Sequence, residues 1–187
     1  MRERFNVLYA DPAWKYDQEK TGGSFTSGAA QKYPTMSLEE LCALPVKQIL
    51  ERDAVCFLWV TSPMDLEGRI LLASWGFKYK TKITWIKLGR VGLGYWFRGE
   101  TEEILVGIRG NVPAFRCQLS NWAALPLSNH SKKPFWFTRM IEKAINPAIK
   151  YPRKLELFAR ENTPGWVNVG HDVDNGVDMK SILERMV

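Results

Sequence analysis

The chain has 187 residues, 45% hydrophobic and 25% charged, with a formal net charge of +6 from 26 Lys and Arg against 20 Asp and Glu. That length suits one globular domain over residues 1–187, and the apolar fraction excludes a disordered chain. No apolar run approaches the ~20 residues of a membrane span, and the start Met1–Asn6 carries no secretory signal, so a reducing, cytoplasmic setting is expected.

Phe5–Ala10 is an apolar run ending in Asp11-Pro12, which predicts a buried strand with a polar loop at its C-terminal end. Thr21–Gly28 is rich in breakers and reads as a loop. Ser37-Leu38-Glu39-Glu40 has the form of a capping box, Leu38, Leu41 and Cys42 follow at helical spacing, and Pro45 divides the region into two short helices. Asp53–Thr61 predicts a strand covered on both faces. Asp65–Trp75 predicts a helix that stops at Gly76. Lys78–Lys87 alternates and predicts a strand with one solvated face.

After a loop through Gly89, Gly92 and Gly94, Ile104–Ile108 reads as a strand, and residues 110–130 as a second long loop. Pro134 opens an amphipathic helix through Phe137, Met140, Ile141, Ala144 and Ile145 that ends at Asn146-Pro147. Lys154–Phe158 and Trp166–Val169 are further strands, and Asp178–Met186 a terminal helix. Strands alternating with helices predict an α/β three-layer sandwich on a largely parallel sheet. Ligands of such sheets lie beyond the C-terminal strand ends, which selects Asp11–Trp14, the residues after Phe158 and those after Val169.

Cys42, Cys56 and Cys117 have no paired spacing, and His130 and His171 are the only histidines, so packing cysteines and no metal site are expected. The basic charge is segregated: six basic residues and no acid run from Lys78 to Arg98, and eight basic residues with two acids from Lys132 to Arg160. Such segregation suits a polyanion, although solvated strand and helix faces give the same pattern. Asp11-Pro12-Ala13-Trp14 can hold a planar ring that bears an amino group. Asp11 and the Pro12 carbonyl would accept its two amino hydrogens, which makes the nitrogen a better nucleophile, and Trp14 would offer a stacking face. The same residues would also serve a strand ending in an Asp-Pro turn with Trp14 in the core.

The sequence resembles the adenine-N6 methyltransferases marked by an Asp-Pro-Pro-Trp motif, a family that includes the messenger-RNA adenosine methyltransferase and phage and bacterial DNA adenine methyltransferases. Leu8–Trp14 matches the motif strand and Tyr33–Leu41 the segment after it. Phe57–Thr61, Leu72–Phe77, Trp85–Lys87, Leu105–Gly110, His130–Pro134, Leu155–Arg160 and Gly165–Gly170 follow the family's order across nearly the whole chain.

The resemblance implies a Rossmann-like S-adenosylmethionine-dependent methyltransferase of permuted motif order, with the catalytic strand first and the cofactor half of the sheet last. It assigns Asp11 and Pro12 to the target amino group and Trp14 to stacking. The expected cofactor set is Asp11, Lys133, Glu156, Arg160, Asn162, His171 and Asp172, with Lys133 near the cofactor carboxylate and Asn162 near its ribose. Plainer readings stand beside these: Lys133 as an exposed helix-start lysine, Glu156 and Arg160 as a structural ion pair, and His171 as a loop histidine. Two departures bear on the expectation. Ala13 replaces the second proline and leaves both acceptors in place, and His171-Asp172 replaces Asn-Gln, an acid still suited to a ribose diol.

Direct transfer to N6 of a flipped or single-stranded adenine in DNA is the expected activity, with RNA second. A non-enzymatic nucleic-acid-binding subunit is third, and a protein amide or small molecule last. Small size and the lack of an accessory recognition domain favour a phage or bacterial DNA enzyme. Arg90, Trp96 and Arg98, in a loop that mixes glycines, aromatics and basic residues, are the expected nucleic-acid contacts. No membrane and no metal partner is expected, and a homodimer or a partner subunit stays open.

Overall fold

The computed structural model describes residues 4–15, 35–89, 97–115, 117–127 and 132–187. The strands are β1 (Phe5–Ala10), β2 (Leu50–Val60), β3 (Lys78–Leu88), β4 (Thr101–Arg109), β5 (Trp122–Pro126), β6 (Lys154–Leu157) and β7 (Val167–Val169). They form one sheet in the order β5-β3-β4-β2-β1-β6-β7. Only β4 runs against its neighbours β2 and β3; the other pairs are parallel.

Alternation along the central strands sends neighbouring residues to opposite faces. Leu8, Ala10, Cys56 and Leu58 pack under α1 (Leu38–Cys42), α2 (Asp65–Ser74) and α4 (Met179–Met186). Tyr9, Val55, Phe57 and Trp59 pack against α3 (Phe135–Ile145) on the other face. The three layers are those the periodicity predicts. No described helix is long and apolar enough to cross a membrane.

Local signals act where the sequence puts them. Ser37 Oγ accepts from the Glu40 amide at 3.2 Å, while the Ser37 amide donates to Glu40 Oε2 at 2.7 Å. Gly76 ends the α2 region with a φ of 87°, in the left-handed region open to glycine.

Two features depart from the expected pattern. Residues 110–130 are not all loop, because Trp122–Pro126 pairs in parallel with β3 as an edge strand. This segment has no β-branched residue and ends in proline. Its strand state comes from pairing, with Ala123 opposite Trp85 and Trp85 Nε1 donating to the Leu125 carbonyl at 3.0 Å. The second departure lies in β3. Tyr79 packs with the α2 core, whereas Ile83 and Trp85 join the α3 core. A register shift between Tyr79 and Thr81 reverses the faces, so β3 does not keep one solvated side.

Candidate active site at the strand ends

β1, β6 and β7 are parallel neighbours, with Ala10 opposite Leu157 and Leu157 opposite Val169. Their C-terminal ends therefore bring Asp11, Phe158–Arg160 and Gly170–Asp172 together. Two cavities, of about 540 and 290 Å³, open there, and Asp11, Phe158, Arg160 and Asp172 line both. The chain leaves β6 through Phe158, whose φ of 64° turns it sharply, and the Ala159 amide donates to the Val169 carbonyl at 3.0 Å. A Cβ at Gly170 would lie 2.1 Å from the Ala159 carbonyl oxygen, so only glycine lets the two loops meet.

Asp11 is not isolated. Lys133 Nζ lies 3.0 Å from Asp11 Oδ1 and 2.8 Å from Glu102 Oε2, and Glu102 Oε1 lies 2.7 Å from Lys87 Nζ. Alternating charges thus run from β3 through β4 and the α3 entry to the end of β1. All four side chains are largely buried, and the Lys133 ammonium stands 5.0 Å from the Trp59 ring centre. Burial disfavours the Lys133 ammonium, but Asp11 and Glu102 outweigh it and hold its pKa above the ordinary lysine range. Burial also disfavours the Glu102 carboxylate, and Lys133 and Lys87 reverse that and hold its pKa low. Lys133 is therefore no exposed helix-start lysine. It fixes one oxygen of Asp11, and the second keeps its capacity to accept a hydrogen bond.

Trp14 differs from the stacking role. It is 5% exposed, belongs to the core under α1, and donates from Nε1 to the Trp59 carbonyl at 3.3 Å. Its amide donates to the Pro12 carbonyl at 3.0 Å. With both faces packed, Trp14 anchors the turn after β1, and the Pro12 oxygen keeps one further lone pair.

Tyr9, Lys133, Glu156 and Thr163 line the smaller cavity. The buried Tyr9 hydroxyl accepts from Trp59 Nε1 at 2.6 Å, and burial, with smaller contributions from Asp11 and Glu156, pushes its pKa far up. Glu156 Oε2 accepts from Thr163 Oγ1 at 2.9 Å. Burial raises the Glu156 pKa; the Thr163 hydroxyl offsets this in part, while Asp11 and Glu161 add to it. Asn162 is exposed and is not among the residues lining either cavity; its neighbour Thr163 is. His171, with Nδ1 3.5 Å from Asp172 Oδ1, lines the larger cavity.

Arg90 and Trp96 lie outside the described residues, as do Thr21–Gly28, Tyr33-Pro34 and His130-Ser131. Arg98 is exposed just before β4. Part of the basic excess between Lys132 and Arg160 is neutralised by acids outside that stretch. Lys132 pairs with Glu161, Lys133 with Asp11 and Glu102, and Arg153 with Glu51. Charge counts along the chain therefore overstate the free positive surface.

Sequence reasoning missed Glu102 and Lys87. Two adjacent acids on a strand, Glu102 and Glu103, both largely buried, were the available signal, since buried carboxylates need partners. Among the described residues no cluster of three or more His, Cys, Asp or Glu could hold a metal. Cys56 is buried, which pushes its thiol pKa up.

A family model described as MT-A70 matches residues 5–172. The chain is 35% identical to the Type II methyltransferase M.MunI of a Mycoplasma species, covering 95% of this chain and 82% of that protein. It is 34% identical to the N(6)-adenosine-methyltransferase MT-A70-like protein of Arabidopsis thaliana, over 92% of this chain and 24% of the plant protein. It is 30% identical to the N(6)-adenosine-methyltransferase catalytic subunit METTL3 of Homo sapiens, over 91% of this chain and 28% of the human protein. The chain thus spans most of the Mycoplasma relative and about a quarter of the plant and human ones.

Proposed function

Because this chain belongs to the MT-A70 family, we propose that it is an S-adenosylmethionine-dependent adenine-N6 methyltransferase acting on DNA. The observation that carries the reading is Asp11 on the wall of both cavities, one carboxylate oxygen tied to Lys133. Two ligands could meet there on either side of one acceptor.

The donor set suits the cofactor's chemistry. A zwitterionic sulfonium nucleoside needs a cation for its carboxylate, anions near its ammonium and sulfonium, and an acceptor for its ribose diol. We assign Lys133 and Arg160 to the first need, Asp11 and Glu156 to the second, and Asp172, beside His171, to the third. Asn162 joins this set at its exposed rim. When bound, S-adenosylmethionine supplies an electrophilic methyl group that passes to a nitrogen and leaves a neutral thioether.

The chain's own part is to position and polarise the amine. Asp11 accepts one N6 hydrogen and the Pro12 carbonyl the other, which turns the nitrogen lone pair out of conjugation with the ring. Lys133 holds Asp11 in place, and the Asp11 oxygen that Lys133 does not hold can receive the proton that N6 sheds. Trp14 contributes by pinning the turn that carries both acceptors. Positioning of this kind supplies much of the barrier reduction in a direct displacement.

DNA is the target we infer, because the match to the Type II methyltransferase of Mycoplasma runs over 82% of that protein at 35% identity, against 24% and 28% of the plant and human N(6)-adenosine-methyltransferases. The names of those longer relatives keep RNA as the second reading. Arg98, with Arg90 and Trp96 nearby in sequence, is proposed to contact the nucleic acid. The test incubates the protein with labelled S-adenosylmethionine and separate DNA and RNA pools, then identifies the modified base by mass spectrometry. N6-methyladenine confined to DNA supports the proposal; label confined to RNA moves the target, and no labelled base in either rejects the activity.

A further inference from the structure

α3 buries a complete apolar face through Phe137, Met140, Ile141, Ala144 and Ile145, yet its first turn carries two more aromatics that the core does not use. Phe135 is 47% exposed and Trp136 43% exposed. One turn on, the Arg139 guanidinium stands 5.1 Å from the centre of the Phe135 ring, and exposed Lys143 follows at the next turn. Glu142, the acid of this helix, turns Oε1 toward the sheet, where it accepts from Lys154 Nζ at 2.7 Å and Trp166 Nε1 at 3.0 Å, and its Oε2 reaches Arg139 Nη1 only at 3.5 Å, with the Arg139 side chain 70% exposed. The outward stripe is therefore two aromatic rings followed by cations.

Its position gives the stripe a meaning. Phe135 lines the smaller cavity together with Asp11 and Lys133, so the stripe begins at the mouth of the site and leads away from it. A strand whose base occupies the site must lead its neighbouring nucleotides out past this rim. Rings offer stacking faces to any base, and guanidinium and ammonium groups bind the phosphates between them.

We propose that Trp136 and Arg139 form a stacking and phosphate-binding track for the unpaired nucleotides that flank the target base. The proposal rests on a nucleic-acid substrate for the site, and commits to a single-stranded polynucleotide as occupant. Charge complementarity and continuity with the Asp11 cavity argue for that occupant.

The test measures fluorescence anisotropy of labelled 12-mer single-stranded DNA and RNA, alongside cofactor affinity by calorimetry. Trp136→Ala is expected to weaken polynucleotide binding roughly tenfold, Trp136→Phe to restore most of it, and Arg139→Gln to lower the salt slope by about one. Cofactor affinity should match the parent in all three, which separates loss of the track from misfolding. Parent-like polynucleotide affinity in both Trp136→Ala and Arg139→Gln overturns the track. So does a dimer in light scattering that Trp136→Ala converts to monomer. If the track variants lose binding while the parent methylates neither polymer, the surface stands and the proposed reaction falls.

Discussion

Lys133 Nζ stands 3.0 Å from Asp11 Oδ1, so the lysine expected at the cofactor carboxylate is, in this structure, bonded to the residue expected to hold the target amine. An ammonium has three donors, and Asp11 and Glu102 take two, leaving one for a further anion. In the proposed assignment, cofactor binding and amine binding would therefore be coupled through one side chain.

Asp11→Asn should lower methyl transfer by a factor of about 10²–10³, the cost of losing a preorganised charged acceptor. Cofactor affinity should fall by a much smaller factor, because Glu156 still faces the cofactor's cationic groups in the proposed assignment. Single-turnover transfer of labelled methyl, read beside calorimetry, checks both; equal losses would assign Asp11 to the cofactor alone.

Lys133→Ala and Asp172→Ala should each weaken S-adenosylmethionine binding by ~1–3 kcal/mol, in the range of a charge-assisted hydrogen bond. Unchanged affinity in either variant would remove that residue from the cofactor set.

Glu102→Gln leaves Lys87 without its carboxylate partner and Lys133 with Asp11 alone. Transfer should slow roughly tenfold while the chain stays folded, and the Glu102–Lys133 double-mutant cycle should be non-additive by ~1 kcal/mol or more. Additive losses would show that Glu102 does not act through Lys133.

Acidification should act on two carboxylates with opposite signs. Burial raises the Glu156 pKa, so its contribution to stability is present below its unfolded pKa and is lost as pH rises through the folded value. Glu102 is held low by its lysines against burial, so its contribution is present above its unfolded pKa and is lost as pH falls through the folded value. Glu156→Gln should therefore be more stable than the parent at neutral pH and lose that advantage in acid. Urea midpoints at the two pH values decide it.

Gly170→Ala should destabilise the fold by ~3 kcal/mol or more, because the new Cβ would overlap the Ala159 backbone. Thermal unfolding reads the effect, and a variant as stable as the parent would mean the strand-end loops can part.

Much of this protein is written in local pattern. The apolar run to Ala10, the capping box at Ser37, the stop at Gly76 and the amphipathic spacing of α3 are set by residues within a few positions of one another, and each forms where periodicity puts it. Strand ends follow from strands, so Asp11–Trp14, the residues after Phe158 and those after Val169 could be grouped from the sequence alone. Tertiary structure alone decided the rest, because the causes lie far apart in the chain. Trp122–Pro126 becomes a strand only beside β3, and the shift after Tyr79 changes which face that strand buries. Trp14 is taken into the core by Trp59, 45 residues away, and Glu102 on β4 finds its cation in Lys133, just before α3. Spacing along a chain records which faces are apolar; which buried charge answers which is settled only when the sheet is assembled.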